Sequence, residues 1–218
     1  MGRRSLRKID PSLDLSRHLK PIDQLPAPLD AAALFGRAAP LEIEVGSGKG
    51  LFLLTASGEH PDRNFLGCEI SLKYARFTAA RLARAERANA IVVQGDARRL
   101  FMERLPDSCA RAVHIYFPDP WWKKRHLRRR ILNEAFLKAI DRTIEPGGAF
   151  HFWTDVQEYF QTTLDLIAQV TTWEGPLPVE VRPAEHDMDY RTHFERRMRL
   201  HDHPVYRAEF RVEPVDAS

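Results

Sequence analysis

Cysteine is scarce: Cys68 and Cys109 are the only two in 218 residues. A disulfide framework or a zinc site needs more thiols at closer spacing. Both therefore read as reduced, buried side chains of a cytoplasmic protein. Long apolar runs are missing too. No stretch of about 18 apolar residues is present to span a membrane, and mean hydropathy is −0.41. Met1-Gly2-Arg3-Arg4-Ser5-Leu6 carries charge without the apolar segment of a secretory signal. It also lacks the Ser or Thr at position six that N-myristoylation needs. The phosphate-loop pattern G-x-x-x-x-G-K-[ST] is absent, and so is the complete dinucleotide fingerprint G-x-G-x-x-G. With no Tyr-x-x-x-Lys pair either, nicotinamide-dependent oxidoreduction is the least supported enzyme class. His114, His151, His186, His201 and His203 have no partner spacing that suggests a metal site, so no metal is expected.

What is present suffices for a full core. At 44% hydrophobic, the chain can build one compact α/β domain but not two large ones. We expect an arm over 1–39 and a single domain over 40–218. The arm is basic, then rich in Pro and Ala, with Pro11, Pro21, Pro26, Pro28 and Pro40 and no periodicity. It should lie over the domain or be partly disordered. Net charge is only +3, yet the sequence pI is about 9.0. Where the cations cluster therefore says more than their total.

From residue 41 the pattern alternates. Leu41-Glu42-Ile43-Glu44-Val45 is a short β-branched strand stopped by Gly46, and helical spacing follows over 50–57. Strands are predicted at 64–70, 90–94, 112–117 and 149–154, with helices from Ser71, at 97–105, at 128–143 and at 155–171. A turn is expected at Glu145-Pro146-Gly147-Gly148, and strand-like segments including 205–212 close the chain. Strands alternating with helices predict an α/β, Rossmann-like, doubly wound and mostly parallel sheet with helices on both faces. Such sheets bind ligands beyond the carboxyl ends of their strands.

The strand ends carry the chemistry. The first runs into Glu44-Val45-Gly46-Ser47-Gly48-Lys49-Gly50, where glycines permit a tight turn and close approach to a ligand. The second ends at Glu69, about 20 residues beyond, where a carboxylate can accept both ribose hydroxyls of an adenosine. The third ends at Gly95-Asp96, placed to take an adenine amino group. Singly, each acid is more often a helix cap or a solvated charge. Jointly they suit adenosine without a pyrophosphate, hence S-adenosyl-L-methionine, whose sulfonium would welcome Glu44. The fourth strand runs into Phe117-Pro118-Asp119-Pro120-Trp121-Trp122-Lys123-Lys124-Arg125-His126, then Arg128-Arg129-Arg130. Two prolines stiffen the loop around Asp119. The tryptophans can stack on bases and the cations can neutralise phosphates. Basic charge at a helix start opposes the macrodipole, which weighs against a merely solvated helix.

These residues resemble the bacterial tRNA (guanine-N7)-methyltransferases, class I S-adenosylmethionine-dependent enzymes. The similarity rests on Glu44, Gly46, Gly48 and Gly50, on Phe65-x-Gly67-x-Glu69, and on Phe117-Pro118-Asp119-Pro120-Trp121 with the basic run after it. It continues through Phe152-Trp153-Thr154-Asp155, Thr192-His193-Phe194-Glu195 and Pro204-Val205-Tyr206-Arg207-Ala208-Glu209, in order over residues 41–212. The resemblance implies methyl transfer to N7 of a tRNA guanine in the variable loop. It implies cofactor contacts from Glu44, Gly46, Gly48, Glu69, Asp96 and Asp119. Substrate contacts would come from Lys123, Arg125, His126, Arg128, Arg129, Arg130, Asp155, Thr192, His193, Phe194 and Glu195. Asp119 is the expected catalytic residue, holding the base, with Asp155 or Glu195 next. The expected partner is tRNA, bound by a monomer or homodimer without membrane or metal. Two other classes stay open on the residues alone. A small-molecule or protein methyltransferase would leave the Trp-Trp-Lys-Lys-Arg-His segment unexplained, and a non-catalytic RNA-binding module would keep only a dead pocket.

Overall fold

The computed structural model describes residues 6–181, 183–184, 186 and 189–213. Strands β1 (Leu19–Pro21), β2 (Leu41–Val45), β3 (Asn64–Glu69), β4 (Ala90–Gln94), β5 (Ala110–Tyr116), β6 (Ile144–Thr154), β7 (Glu174–Leu177) and β8 (Tyr206–Arg211) form one sheet. Their order across it is β1-β4-β3-β2-β5-β6-β8-β7. Strands β1 to β6 pair in parallel, and β8 runs antiparallel to both β6 and β7. The helices are α1 (Ala31–Phe35), α2 (Leu51–Glu59), α3 (Leu72–Arg84), α4 (Ala97–Arg99), α5 (Glu134–Thr143), α6 (Gln157–Val170) and α7 (His193–Leu200). Strand order reverses between β2 and β5, the switch point where a crevice opens in sheets of this kind.

The core lies on both faces. Ile43, Val113, Ile115, Phe150 and Phe152 pack on one side with Phe136, Leu137 and Ile140 of α5. Phe52, Leu53, Phe65, Ala75, Ala79 and Leu82 fill the other with Tyr116 and Trp153. Both faces are therefore apolar at the centre, interrupted on one side by the buried polar side chains of Glu42, Glu44 and His114.

Several elements differ from the sequence expectation. The 1–39 arm is not merely draped over the surface. It adds β1 to the β4 edge, caps α1 with the Asp30 side chain at 3.0 Å from Ala33 N, and buries Ile22, Leu25, Leu29 and Phe35. The helix expected at 128–143 starts at Glu134, because Asn133 accepts from Phe136 N at 3.1 Å as an N-cap. A 3-10 segment, Lys124–Arg129, precedes it. The turn expected at 145–148 is taken into β6 as an irregular start, where pairing with β5 slips between Ala110 and Ala112. Helix α7 was not expected: it is only eight residues long, and of these only Glu195 and Met198 are buried. Of the two free thiols, Cys68 is buried as expected, but Cys109 is only half-buried.

Candidate active site

The glycine turn after β2 is held by α3 and β3. Gly46, Gly48 and Gly50 all have positive φ, at 78°, 53° and 66°, which L side chains seldom adopt. The turn is open at Gly46, where an added Cβ would meet nothing within 4 Å. At Gly50 the same Cβ would stand 2.3 Å from the Thr78 methyl. Thr78 Oγ1 donates to Gly48 O at 3.0 Å, and Arg81 Nη1 donates to Lys49 O at 2.7 Å. Glu69 pins the turn to β3, accepting from Gly48 N and from Ser71 N at 2.8 Å each. Each carboxylate oxygen has two lone pairs, so capacity for further donors remains. Asp96 accepts from Arg98 N at 2.9 Å and caps α4, using one oxygen.

Glu44 is fully buried, and its Oε2 has no hydrogen-bond partner among the described residues. Burial, then the neighbouring Glu69 charge, pushes its carboxyl up to about 8. A buried polar atom without a partner is rare enough to require an explanation. On the same face, two residues earlier, Glu42 accepts from Arg63 at 2.7 Å and contacts His114 Nε2 at 2.9 Å. Burial opposes its ionisation, but the His114 hydrogen bond and then Arg63 outweigh it, and the carboxyl falls to about 2. Burial also lowers the His114 pKa below the usual imidazole value, against the pull of Glu42. His114 Nδ1 meets Tyr116 Oη at 2.9 Å, and its ring stacks on His151 at 4.6 Å. These histidines are hydrogen-bonded elements of the sheet face. Among the described residues no group of three His, Cys, Asp or Glu side chains is placed to hold a metal.

The acid loop after β5 is strained at both ends. Phe117 and Trp121 have φ of 51° and 46°, unusual for aromatic residues and the kind of strain that gathers at functional loops. Between them Asp119 is exposed. Arg130 clamps the loop from below: its Nε donates to Pro120 O at 2.8 Å, and its guanidinium lies 4.5 Å over the Tyr159 ring. Arg130 is therefore buried, while Arg125, Arg128 and Arg129 are exposed with Lys123. Arg129 sits 5.1 Å over Trp121, His126 meets Trp121 edge-on, and Trp122 is 68% exposed. An exposed tryptophan among exposed cations is chemically able to stack a base and pair with phosphates.

Thr192 to Glu195 forms the first turn of α7. Thr192 Oγ1 accepts from Glu195 N at 3.0 Å. Glu195 is buried; it accepts from Arg191 N at 2.7 Å and Arg207 at 3.1 Å, with Arg199 at 3.5 Å. The Phe194 ring lies 4.8 Å from Phe117, and His193 Nε2 is 3.2 Å from Arg81 Nη1. Asp155 is half-buried after β6. The structure thus joins the turn of α7 to the acid loop and to the glycine turn. Thr78 and Arg81 escaped the sequence reading. Their spacing of three on α3 is the only signal they leave, since residues three apart share a helix face.

A family model described as "Putative methyltransferase" matches residues 38–208. A tRNA (guanine-N(7)-)-methyltransferase from Rhodopirellula baltica is 50% identical over 217 residues, which cover 97% of this chain and 80% of that protein. The enzyme of the same name from Syntrophotalea carbinolica is 38% identical over 159 residues, covering 73% and 68%. Among solved structures, the 16S rRNA methyltransferase KamB aligns with a TM-score of 0.61 at 16% identity, covering 87% of this chain and 96% of that one. An S-adenosylmethionine-dependent O-methyltransferase from Thermotoga maritima aligns with a TM-score of 0.53 at 14% identity, covering 83% and 62%. At such identities the structural likeness shows the fold, which is the doubly wound architecture expected.

Proposed function

The chain belongs to the tRNA (guanine-N(7)-)-methyltransferase family, and from that premise we propose that it methylates N7 of guanine in the variable loop of tRNA from S-adenosyl-L-methionine, with Asp119 holding the base. The observation that carries the reading is the buried Glu44 oxygen without a partner beside the open side of Gly46. A cationic donor supplies what that carboxylate lacks. Bound there, S-adenosylmethionine supplies an electrophilic methyl group on a sulfonium. Glu44 would face its positive charge. Glu69, with unused lone pairs, would accept from the ribose hydroxyls, and the second oxygen of Asp96 from the adenine amino group. The positive-φ backbone at Gly46 and Gly48 lets the turn come close without side chains in the way.

Guanine N7 already carries an in-plane lone pair and no proton, so the protein needs no general base. Its task is alignment, and held orientation can supply about 7–11 kcal/mol of the barrier. The Asp119 carboxylate can accept N1–H and N2–H on the Watson–Crick edge, which turns the N7 edge toward the crevice. Its charge also favours the cationic product. Asp155 is the next candidate for the base. Glu195 already holds Arg207, Arg199 and the Arg191 amide, so its role is to fix the α7 turn. Lys123, Arg125, His126, Arg128 and Arg129 with Trp122 form the RNA face, and Arg130 supports the loop from inside. The test is transfer of a labelled methyl group to unmodified tRNA, with nucleoside mass spectrometry and mapping of the product. N7-methylguanosine in the variable loop is expected. A different nucleoside, or no transfer, overturns the activity; another location overturns the site of action.

A further inference from the structure

We propose that Arg81 is a positioning residue that couples donor binding at the glycine turn to tRNA binding at the α7 turn, an inference that rests on the function proposed above. A single nitrogen makes the link. Arg81 Nη1 has two hydrogens; one goes to Lys49 O at 2.7 Å, and His193 Nε2 lies 3.2 Å away as the second acceptor. A guanidinium only donates, so the imidazole must present an unprotonated Nε2 to it. Lys49 stands between Gly48 and Gly50, both with positive φ. That carbonyl therefore moves with whatever conformation the turn takes. His193 opens α7, and the next residue, Phe194, packs its ring 4.8 Å from Phe117. Phe117 is the strained entry to the Asp119 loop. A continuous set of contacts thus runs from the donor turn through Arg81 and α7 to the loop that would hold the base.

The first turn of α7 is held together as one unit, so a displacement at His193 carries Phe194 with it. Glu195 is tied to Arg207 and Arg199, and Thr192 caps the helix. Arg81 itself springs from α3, whose Thr78 also grips the turn at Gly48 O. Arg81 is half-buried, with both described partners uncharged. Arg81 reaches both acceptors with one nitrogen at the tip of a long, weakly hydrated guanidinium, whereas a lysine ammonium is shorter and more strongly hydrated.

Binding free energies at two linked sites are reciprocal. The experiment measures the tRNA dissociation constant with and without saturating S-adenosylhomocysteine, and the reverse, for the full chain and four variants. In the unaltered chain the thioether should tighten tRNA by about fivefold or more, and tRNA should tighten the thioether equally. Arg81→Ala and His193→Ala should bring that factor to about one. Arg81→Lys should keep only part of it. His193→Gln, whose amide oxygen can accept from the guanidinium, should keep most of it. A purely structural role would lower melting temperature or active fraction without moving the ratio. Should Arg81→Ala not fold, the His193→Ala and His193→Gln pair reads the same link from its other end. An unaltered chain that methylates tRNA but shows no coupling, or an Arg81→Ala variant that keeps it, overturns the inference alone. An unaltered chain that transfers no methyl group overturns the function beneath it.

Discussion

Glu42 and Glu44 stand two residues apart on β2, on one face of the sheet and both buried, yet they live in opposite electrostatic states. Glu42 is surrounded by its own chain, with Arg63 on one oxygen and His114 on the other. Glu44 has a neighbouring like charge at Glu69 and an oxygen with no partner among the described residues. The first carboxylate is complete within the fold. The second is not, and on the function proposed above a cationic donor would complete it. Satisfied acids therefore belong to stability, and open ones mark chemistry. Asp119, exposed on a strained loop, is open in the same sense, whereas Glu195 is filled in the same sense as Glu42.

The sharpest break of that comparison is Glu42→Ala. Removing one member of a buried pair costs roughly 3–5 kcal/mol. Arg63 is 38% exposed and can turn to water, so the lower end, about 3 kcal/mol, is expected. Thermal and denaturant unfolding should show it, at about 2–4 °C per kcal/mol for a chain of this size, while the donor affinity of the folded fraction stays unchanged. A stable variant that has lost donor binding would reverse the assignment of the two glutamates.

Asp119→Ala should show the opposite pattern. We expect single-turnover methylation to fall by about a hundredfold or more, the scale of losing one aligned charge-stabilising group. Melting temperature and S-adenosylhomocysteine affinity should change far less, because the carboxylate holds no part of the fold. Turnover preserved within a few-fold would remove Asp119 from the reaction.

The strand ends were legible in the sequence, but the contrast between the two glutamates was not, and that has a physical cause. Strand ends are local: the strands give way at Gly46, after Glu69, at Gly95 and at Pro118, so acids at the carboxyl edge of one sheet could be expected from the sequence. What separates Glu42 from Glu44 is long-range. Arg63 and His114 are 21 and 72 residues from Glu42 in the chain, and no spacing rule connects them. The arm was opaque because β1 is three residues long and its partner β4 lies about 70 residues on. Helix α7 was hidden because its apolar face is only Phe194 and Met198 in a run of charged residues, and its most buried side chain is the ion-paired Glu195.

Glu44→Gln tests the open acid through pH. The fold holds this carboxyl at about 8 against an ordinary value of 4.5. Between those values the unfolded chain gives up a proton that the fold retains, so stability falls as pH rises through the window and levels off above about 8. Glu42 has the reverse sign: its contribution is present above 4.5 and is lost as pH falls toward 2. A cationic donor selects the ionised form of Glu44, so binding below pH 8 should release a proton, and affinity should rise by up to tenfold per pH unit from 6 to 8. The amino group of the donor titrates in part of this range, which makes the difference between the unaltered chain and Glu44→Gln the informative quantity. Calorimetry in buffers of different ionisation enthalpy counts the proton. Equal release in both proteins would place the charge contact elsewhere.

The smallest effect carries the same distinction into the basic segment, at neighbouring residues. Arg129 is exposed over Trp121, whereas Arg130 is buried over Tyr159 and bonded to Pro120 O. Neutralising a phosphate contact lowers the salt dependence of binding by about one in the log–log slope. Arg129→Ala, like Lys123→Ala or Arg125→Ala, should weaken tRNA binding with that signature and leave melting unchanged. Arg130→Ala should leave the slope intact, because a cation turned inward releases no counterion from RNA. Instead it should lower the melting temperature and slow methyl transfer, since the Pro120 carbonyl loses its anchor and Asp119 its fixed position. Binding measured from 50 to 200 mM salt decides the matter, and a reduced slope for Arg130→Ala would mean that its guanidinium swings out to meet the RNA.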